Sequence, residues 1–259
     1  MNFYLSIPFS ELDRRLEQVL RENFLPEVRM TRTDFLISSA DSEIEALARR
    51  IEKAGVEVFT HGPFFGLDIA SMDSHISSFS VECLVRGVEV TAALGGKVMV
   101  MHTGYSPFFS RGGRRHWFRN WAEKVSPLLE KASELGVTVA LENTWDDRPE
   151  ILLRLQGLCR SENIRFCLDT GHVNCFSKLP LRYWWKAIGE QVEVLHLHDN
   201  RGGSDDHMIP GRGTFDFGEL AGYLQETENL PKFDLEVPYH KAFESRDYLS
   251  AVFAGIGEI

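Results

Sequence analysis

The sequence predicts a closed (β/α)8 barrel, a TIM barrel, formed as one domain over residues 1–259. Three observations predict it. Eight short apolar or β-branched runs each precede a stretch with helical periodicity, the pattern of parallel βαβ units. The first strand-to-helix turn, Ile7-Pro8-Phe9-Ser10, is not the glycine-rich phosphate loop of an open doubly wound sheet. Residues of metal-binding type fall at the carboxyl ends of consecutive strands, the positions that converge on a barrel's mouth.

The strands are expected near Asn2–Ile7, Glu27–Met30, Val56–Thr60, Val98–Met101, Val137–Leu141, Arg165–Leu168, Val192–Leu197 and Phe233–Val237. Between them, Leu12, Leu16, Val19 and Leu20 recur at helical spacing. So do Val81, Leu84, Val85 and Val88, and then Trp121, Val125, Leu128, Leu129, Ala132 and Leu135. Ala54-Gly55 and Leu135-Gly136 place glycine where a helix must stop before the next strand.

Composition narrows the function. Acids outnumber bases 38 to 28, a formal net charge of -10 that disfavours an extended nucleic-acid partner. Cys83, Cys159, Cys167 and Cys175 lack close metal-ligand spacing and are expected to be reduced and structural. No apolar run approaches the roughly 20 residues needed to span a bilayer, and Met1–Ser10 is unlike a signal peptide. A cytoplasmic protein with no membrane partner is the expectation. No stretch forces an oligomer; Trp184 and Trp185 would mark a contact surface only if exposed.

The strand ends carry the chemistry. His61 ends strand three, His102 strand four and Glu142 strand five; Asp169 and His172 follow strand six. His196 and His198 end strand seven, Asp205 and His207 lie in the next loop, and Glu236 ends strand eight. These ten include six of the nine histidines. Imidazole with carboxylate suits zinc, manganese or iron. One ion needs about four protein ligands, so this many candidates imply two or three ions with bridging carboxylates, for which Glu142 and Glu236 are best placed. A lone strand-end histidine or acid commonly just caps a helix; ten at consecutive ends argue for a site. Phe64, Phe65, Phe108, Phe109, Trp145, Trp184 and Trp185 fall in or near the mouth loops, suited to a sugar, a nucleobase or the core. Arg111, Arg114 and Arg115 form a basic cluster in the long loop after strand four, fit to orient a phosphate or simply to be solvated.

His61-Gly62-Pro63, His102-Thr103-Gly104, Leu141-Glu142-Asn143, Asp169-Thr170-Gly171-His172, His196-Leu197-His198-Asp199, Asp205-Asp206-His207 leading to Gly211-Arg212-Gly213, and Leu235-Glu236 occur in that order. In this the chain resembles the xylose-isomerase-like barrel superfamily, which includes endonuclease IV and sugar isomerases and epimerases. Resemblance to endonuclease IV implies a trinuclear zinc site on His61, His102, Glu142, Asp169, His172, His196, Asp205, His207 and Glu236. Resemblance to the sugar branch implies one metal on Glu142, Asp169, a strand-seven histidine and Glu236, with His196 expected in a polynuclear site and His198 in a mononuclear one.

Three readings follow. The first is a metal-dependent hydrolase of a small phosphodiester or phosphomonoester, not a duplex-DNA repair enzyme, with two or three Zn or Mn ions and with Tyr105, Arg114 or Arg212 contacting the ester. The second is a one-metal sugar or sugar-phosphate isomerase or epimerase in which Glu142 and Glu236 act as base and acid across an enediolate and His172 holds a hydroxyl. The third is a non-catalytic metal-dependent binding protein.

Overall fold

A computed structural model describes residues 1–30, 39, 41–159 and 161–256. Eight parallel strands follow one another round a closed barrel, with the first pairing to the last. They are β1 (Phe3–Pro8), β2 (Leu25–Arg29), β3 (Phe59–His61), β4 (Val98–His102), β5 (Thr138–Glu142), β6 (Ile164–Asp169), β7 (Val192–His196) and β8 (Lys232–Leu235). The described helices between and after them are α1 (Phe9–Arg21), α2 (Asp41–Ala54), α3 (Ser74–Ala93), α4 (Arg111–Lys124), α5 (Ser126–Leu135), α6 (Glu150–Cys159), α7 (Thr170–Phe176), α8 (Leu181–Ile188), α9 (Phe217–Gln225) and α10 (Ala242–Val252). Gly55 and Gly136 both end helices in the left-handed conformation, at φ 64°.

Strand alternation divides each strand between two environments. Met99 and Met101 of β4, Val139 and Leu141 of β5, Phe166 and Leu168 of β6 and Leu195 of β7 join the large core between sheet and helices. Their neighbours Val98, Val100, Ala140, Cys167 and Val194 pack with Tyr4 and Phe59 inside the barrel. Carried upward, the inward parity reaches His61, His102, Glu142, Asp169 and His196. The apolar floor is therefore continuous with the polar mouth, and register keeps the mouth level: His102 is opposite Glu142, and Asp169 opposite His196.

Two expectations change. The stripe from Trp121 to Leu135 belongs to two helices, α4 and α5, with Pro127 in the first turn of α5; proline has no amide to continue an unbroken ladder. Arg111, Arg114 and Arg115 lie in the first turns of α4, not in a loop, because Ser110 caps that helix by accepting from the Gly113 amide. Trp184 is fully buried and donates to Ser177 Oγ (2.7 Å), while Trp185 stacks on Tyr223, so this pair is packing surface. Among the described residues no helix is long and apolar enough to cross a membrane.

Trp121 ties the outer core to the mouth. It is fully buried, and its indole donates to the Thr103 carbonyl (3.0 Å), one residue past His102. We expect Trp121→Ala to cost about 3–5 kcal/mol in urea unfolding by leaving a large cavity, and to loosen the His102 loop as seen in faster hydrogen exchange there.

Candidate metal centre

Glu142 is the hub. Its side chain is 1% exposed, yet its carboxylate meets four imidazoles. Oε2 lies 3.2 Å from His61 Nε2 and 3.1 Å from His102 Nε2. Oε1 lies 3.2 Å from His172 Nδ1 and 3.6 Å from His196 Nδ1. Burial alone would raise the pKa of this carboxyl, but His102 and His196 overcome that and hold it well below the usual range.

Beside the hub, His196 Nδ1 is 3.4 Å from Glu236 Oε2 and 3.8 Å from Asp169 Oδ2. Glu142, Asp169, His196 and Glu236 thus present four ligand atoms to one point. The four-group set forms with His196. His198 Nε2, 3.0 Å from Asp169, 3.7 Å from Asp205 and 3.8 Å from Glu236, belongs to two further groups, one with Asp169 and His172 and one with Asp205 and His207 in the next loop. There Asp205 Oδ2 is 3.3 Å from His172 Nε2 and 3.2 Å from His207 Nε2.

The backbone explains these placements. Asp169 caps α7 by accepting from the His172 amide (2.7 Å), so one carboxylate both starts the helix and faces the cluster. Gly171 has no side chain because a Cβ there would overlap the His198 ring. His207 has a positive φ of 44°, a costly conformation for a non-glycine residue. Its ring stacks on His198 with centroids 4.0 Å apart. The loop bearing Asp205 and His207 is anchored by Asp199, whose fully buried carboxylate accepts from the amides of Asn200, Gly211, Gly213, Thr214 and Phe215 at 2.8–3.1 Å.

The donor set fits divalent ions. Four imidazoles have one nitrogen directed at a fixed oxygen: His61 Nδ1 at the Gly62 carbonyl, His172 Nδ1 at Asn143, His207 Nδ1 at Glu236 and His196 Nε2 at the Glu27 carboxylate. Carbonyls and carboxylates accept, so in the neutral ring each of these nitrogens holds the proton and the opposite, bare nitrogen faces the acids. Two lone-pair atoms cannot rest there without a cation between them. Glu142 Oε1 and Oε2, His196 Nδ1, Asp205 Oδ1 and Glu236 Oε2 are all buried without a hydrogen-bond partner. Without metal, protons take the cation's place. Burial works against charging His172 and His196, but the surrounding acids raise both pKa values well above normal, and His207 rises to about 9 by the same balance.

Of the three residues expected to touch substrate, one is drawn away from the site. Arg212 is exposed and bound to Glu244 (3.1 and 2.5 Å), drawn outward by that ion pair. Tyr105 is buried beside the mouth, and Arg114 lies over its ring, 5.7 Å from the centroid.

Sequence reasoning missed three buried acids. Glu27 accepts from His196 Nε2 (3.2 Å) and so aims Nδ1 at the cluster. Asp234, opposite His196 on β8, is fully buried with neither oxygen partnered. Burial and the Glu27 charge push its pKa well up. Asp146, in the loop after β5, has its pKa raised by burial to about 7 although Oδ2 accepts from the Thr144 amide (3.0 Å). Inward parity in a strand was the one available signal, and it singles out Glu27 and Asp234 only once the barrel register is known.

The family of xylose isomerase-like TIM barrels matches residues 26–252. The chain belongs to this family. Among xylose isomerase-like relatives, the uncharacterised protein MJ1311 of Methanocaldococcus jannaschii is 29% identical over 224 residues, 83% of this chain and 75% of that protein. The probable endonuclease 4 of Bacillus subtilis is 25% identical over 228 residues, 77% of this chain and 72% of its own length. Of solved structures, the TTHB071 protein of Thermus thermophilus, soaked with zinc chloride, superposes with a TM-score of 0.84 at 27% identity, covering 100% of both chains. A D-tagatose 3-epimerase-like protein gives 0.85 at 26% identity, covering 100% of this chain and 99% of its own. The proteins that this chain resembles thus carry names of two reaction types, a probable endonuclease 4 and a D-tagatose 3-epimerase-like protein.

Glu27→Ala is expected to weaken metal binding about 10–100-fold, because His196 loses the partner that fixes its ring; competition with a chromogenic chelator measures this. Asp146→Asn is expected to stabilise the metal-free protein in alkali. The native carboxyl, with a pKa of about 7, binds a proton that the unfolded chain, near 3.8, does not. Stability is therefore lost as pH rises between those values, and the penalty is complete above about 7. Asparagine keeps the Thr144 acceptor and does not titrate. Thermal unfolding should show equal stability at pH 4 and a gain of roughly 2–4 kcal/mol for Asp146→Asn at pH 8.

Proposed function

We propose that the protein is a divalent-metal-dependent hydrolase acting on a small phosphodiester or phosphomonoester, with two or three zinc or manganese ions. One observation carries this reading: the Glu142 carboxylate turns Oε2 to His61 and His102 and Oε1 toward His196, the disposition of a bridging ligand. A one-metal enzyme has no use for His61, His102, Asp205 and His207 as ligands. In the hydrolase, His61, His102 and Glu142 hold one ion, and Glu142, Asp169, His196 and Glu236 a second. His172, Asp205 and His207 hold a third. Divalent ions in such a cluster supply Lewis acidity and neutralise the charge that builds up in phosphoryl transfer.

The protein's part is positional. Carbonyls of Gly62, Asn143 and Glu236 and the Glu27 carboxylate fix the ring orientations before any ion arrives. The apolar layer of Phe59, Val100 and Val194 closes the barrel floor, leaving the substrate a single side of approach. A substrate with one compact anionic group meets the cluster, whereas the net charge of -10 opposes a long polyanion.

A second reading is favoured by a specific contrast. Glu142 is held well below the usual carboxylate range, while burial, together with Asp169 and Glu142, raises Glu236. Two carboxyls driven apart in this way suit a base and an acid, as a sugar epimerase or isomerase requires. There Glu142 would take the carbon-bound proton, Glu236 would deliver one to the other face, and His172 would hold a hydroxyl.

Elemental analysis with activity assays separates the readings. The hydrolase should carry two or three ions per chain and cleave bis-p-nitrophenyl phosphate or p-nitrophenyl phosphate. His102→Ala should lose one ion and at least about 100-fold in hydrolysis, the scale expected when one of several cooperating charges is removed. A single ion, with ketose epimerisation that survives His102→Ala and is abolished by Glu142→Ala, would sink the hydrolase reading and establish the second. Full metal occupancy without turnover of either substrate class would leave a metal-dependent binding protein.

A further inference from the structure

Against the metal cluster lies a cleft of about 390 Å³ between the loops that follow β3, β4 and β5. His102 belongs to both, lining the cleft and reaching Glu142. Phe64 continues the wall, its ring 4.3 Å from the His102 ring by centroids. Leu67 and Ile69 back that side, and Tyr105, Phe108 and Trp145 complete the lining. Phe108 is 92% exposed and makes no ring contact with another described residue, and Trp145, though packed on Phe176 with ring centroids 4.4 Å apart, is 51% exposed. Large aromatic side chains left in water around one opening cost free energy that only a ligand with an apolar face recovers.

We propose that this cleft binds a flat aromatic ring, of nucleobase size, carried by the phosphoester whose phosphate meets the metal cluster. The proposal rests on the hydrolase reading for the phosphate and adds the class of group attached to it. Polar supply argues against a sugar as occupant. A buried sugar needs a partner for each hydroxyl, but among the described residues no carboxylate, carboxamide or guanidinium side chain lines the cleft, and two of its hydroxyls, Thr103 Oγ1 and Ser106 Oγ, each give one acceptor site to an amide of their own loop. The Tyr105 hydroxyl is buried with no partner. Aromatic and aliphatic walls with a few hydroxyls between them, that of Tyr105 unpaired, match a heterocycle with two π-faces to stack and a few polar atoms at its edge. Phe64 lies beside both His61 and His102, with ring centroids 5.2 and 4.3 Å apart, so a small molecule with its ring in the cleft would have its phosphate beside the cluster.

Calorimetric titration of the zinc-loaded protein with adenosine monophosphate, ribose 5-phosphate, inorganic phosphate and adenosine tests this. The nucleotide should bind at least about tenfold more tightly than ribose 5-phosphate. The double substitution Phe108→Ala and Trp145→Ala should remove most of that preference and weaken adenosine, while circular dichroism shows the fold intact. Equal affinities for nucleotide and ribose 5-phosphate, or a preference that survives the double substitution, would overturn the proposal. Failure of the hydrolase reading looks different: inorganic phosphate would not bind, whereas adenosine would still bind and still respond to the double substitution.

Discussion

A carboxylate buried at the end of β5 sets the terms for the rest of the mouth. Glu142 is out of water, so its charge survives only because imidazoles surround it on both sides. Those imidazoles come from β3, β4, β7 and the start of α7, and all must arrive at one height. Barrel closure with an unshifted β4–β5 register meets that demand. The cost of burying so many titratable groups is large, and protons or metal ions offset it. A site that accepts either is one in which metal binding releases protons, so affinity for the metal rises with pH.

The fold was legible because its signals are repetitive. Eight apolar runs with helical stretches between them left little choice, and glycines at Gly55 and Gly136 marked helix ends. The mouth was legible for a related reason: histidine is uncommon, and six of them at or just past the ends of β3, β4, β6 and β7 form a pattern that no packing rule requires. What could not be read was anything that depends on which neighbour a side chain faces. Glu27 looks like an ordinary acid before Val28, and only the barrel brings His196 to it across 169 positions of sequence. Arg212 failed for the opposite reason. It adjoins the metal loop in sequence, but Glu244 on α10 takes its guanidinium outward. The break between α4 and α5 escaped a reading based on periodicity because Val125 and Leu128 keep the apolar stripe in phase across it.

Beneath the cluster, the barrel interior changes character within one turn of side chains. Val98, Val100 and Val194 are followed upward by His102, His196 and the acids, with Glu27 and Asp234 at the boundary. Glu27 is held below the usual carboxylate range: burial pushes it up, but His196 outweighs that. Asp234 is driven the other way by burial and by the Glu27 charge. The two acids of the boundary are thus pushed apart, which lowers the electrostatic cost of resting a polar site on an apolar floor.

Asp199 gathers the ends of a long connection onto one carboxylate. Five amides, from Asn200 to Phe215, share its two oxygens. Bonds that share an acceptor are not independent, because displacing that side chain strands every donor together. Loss of the Asp199 carboxylate would therefore release the segment carrying Asp205 and His207 as one unit, and with it the outermost group of ligand-type side chains.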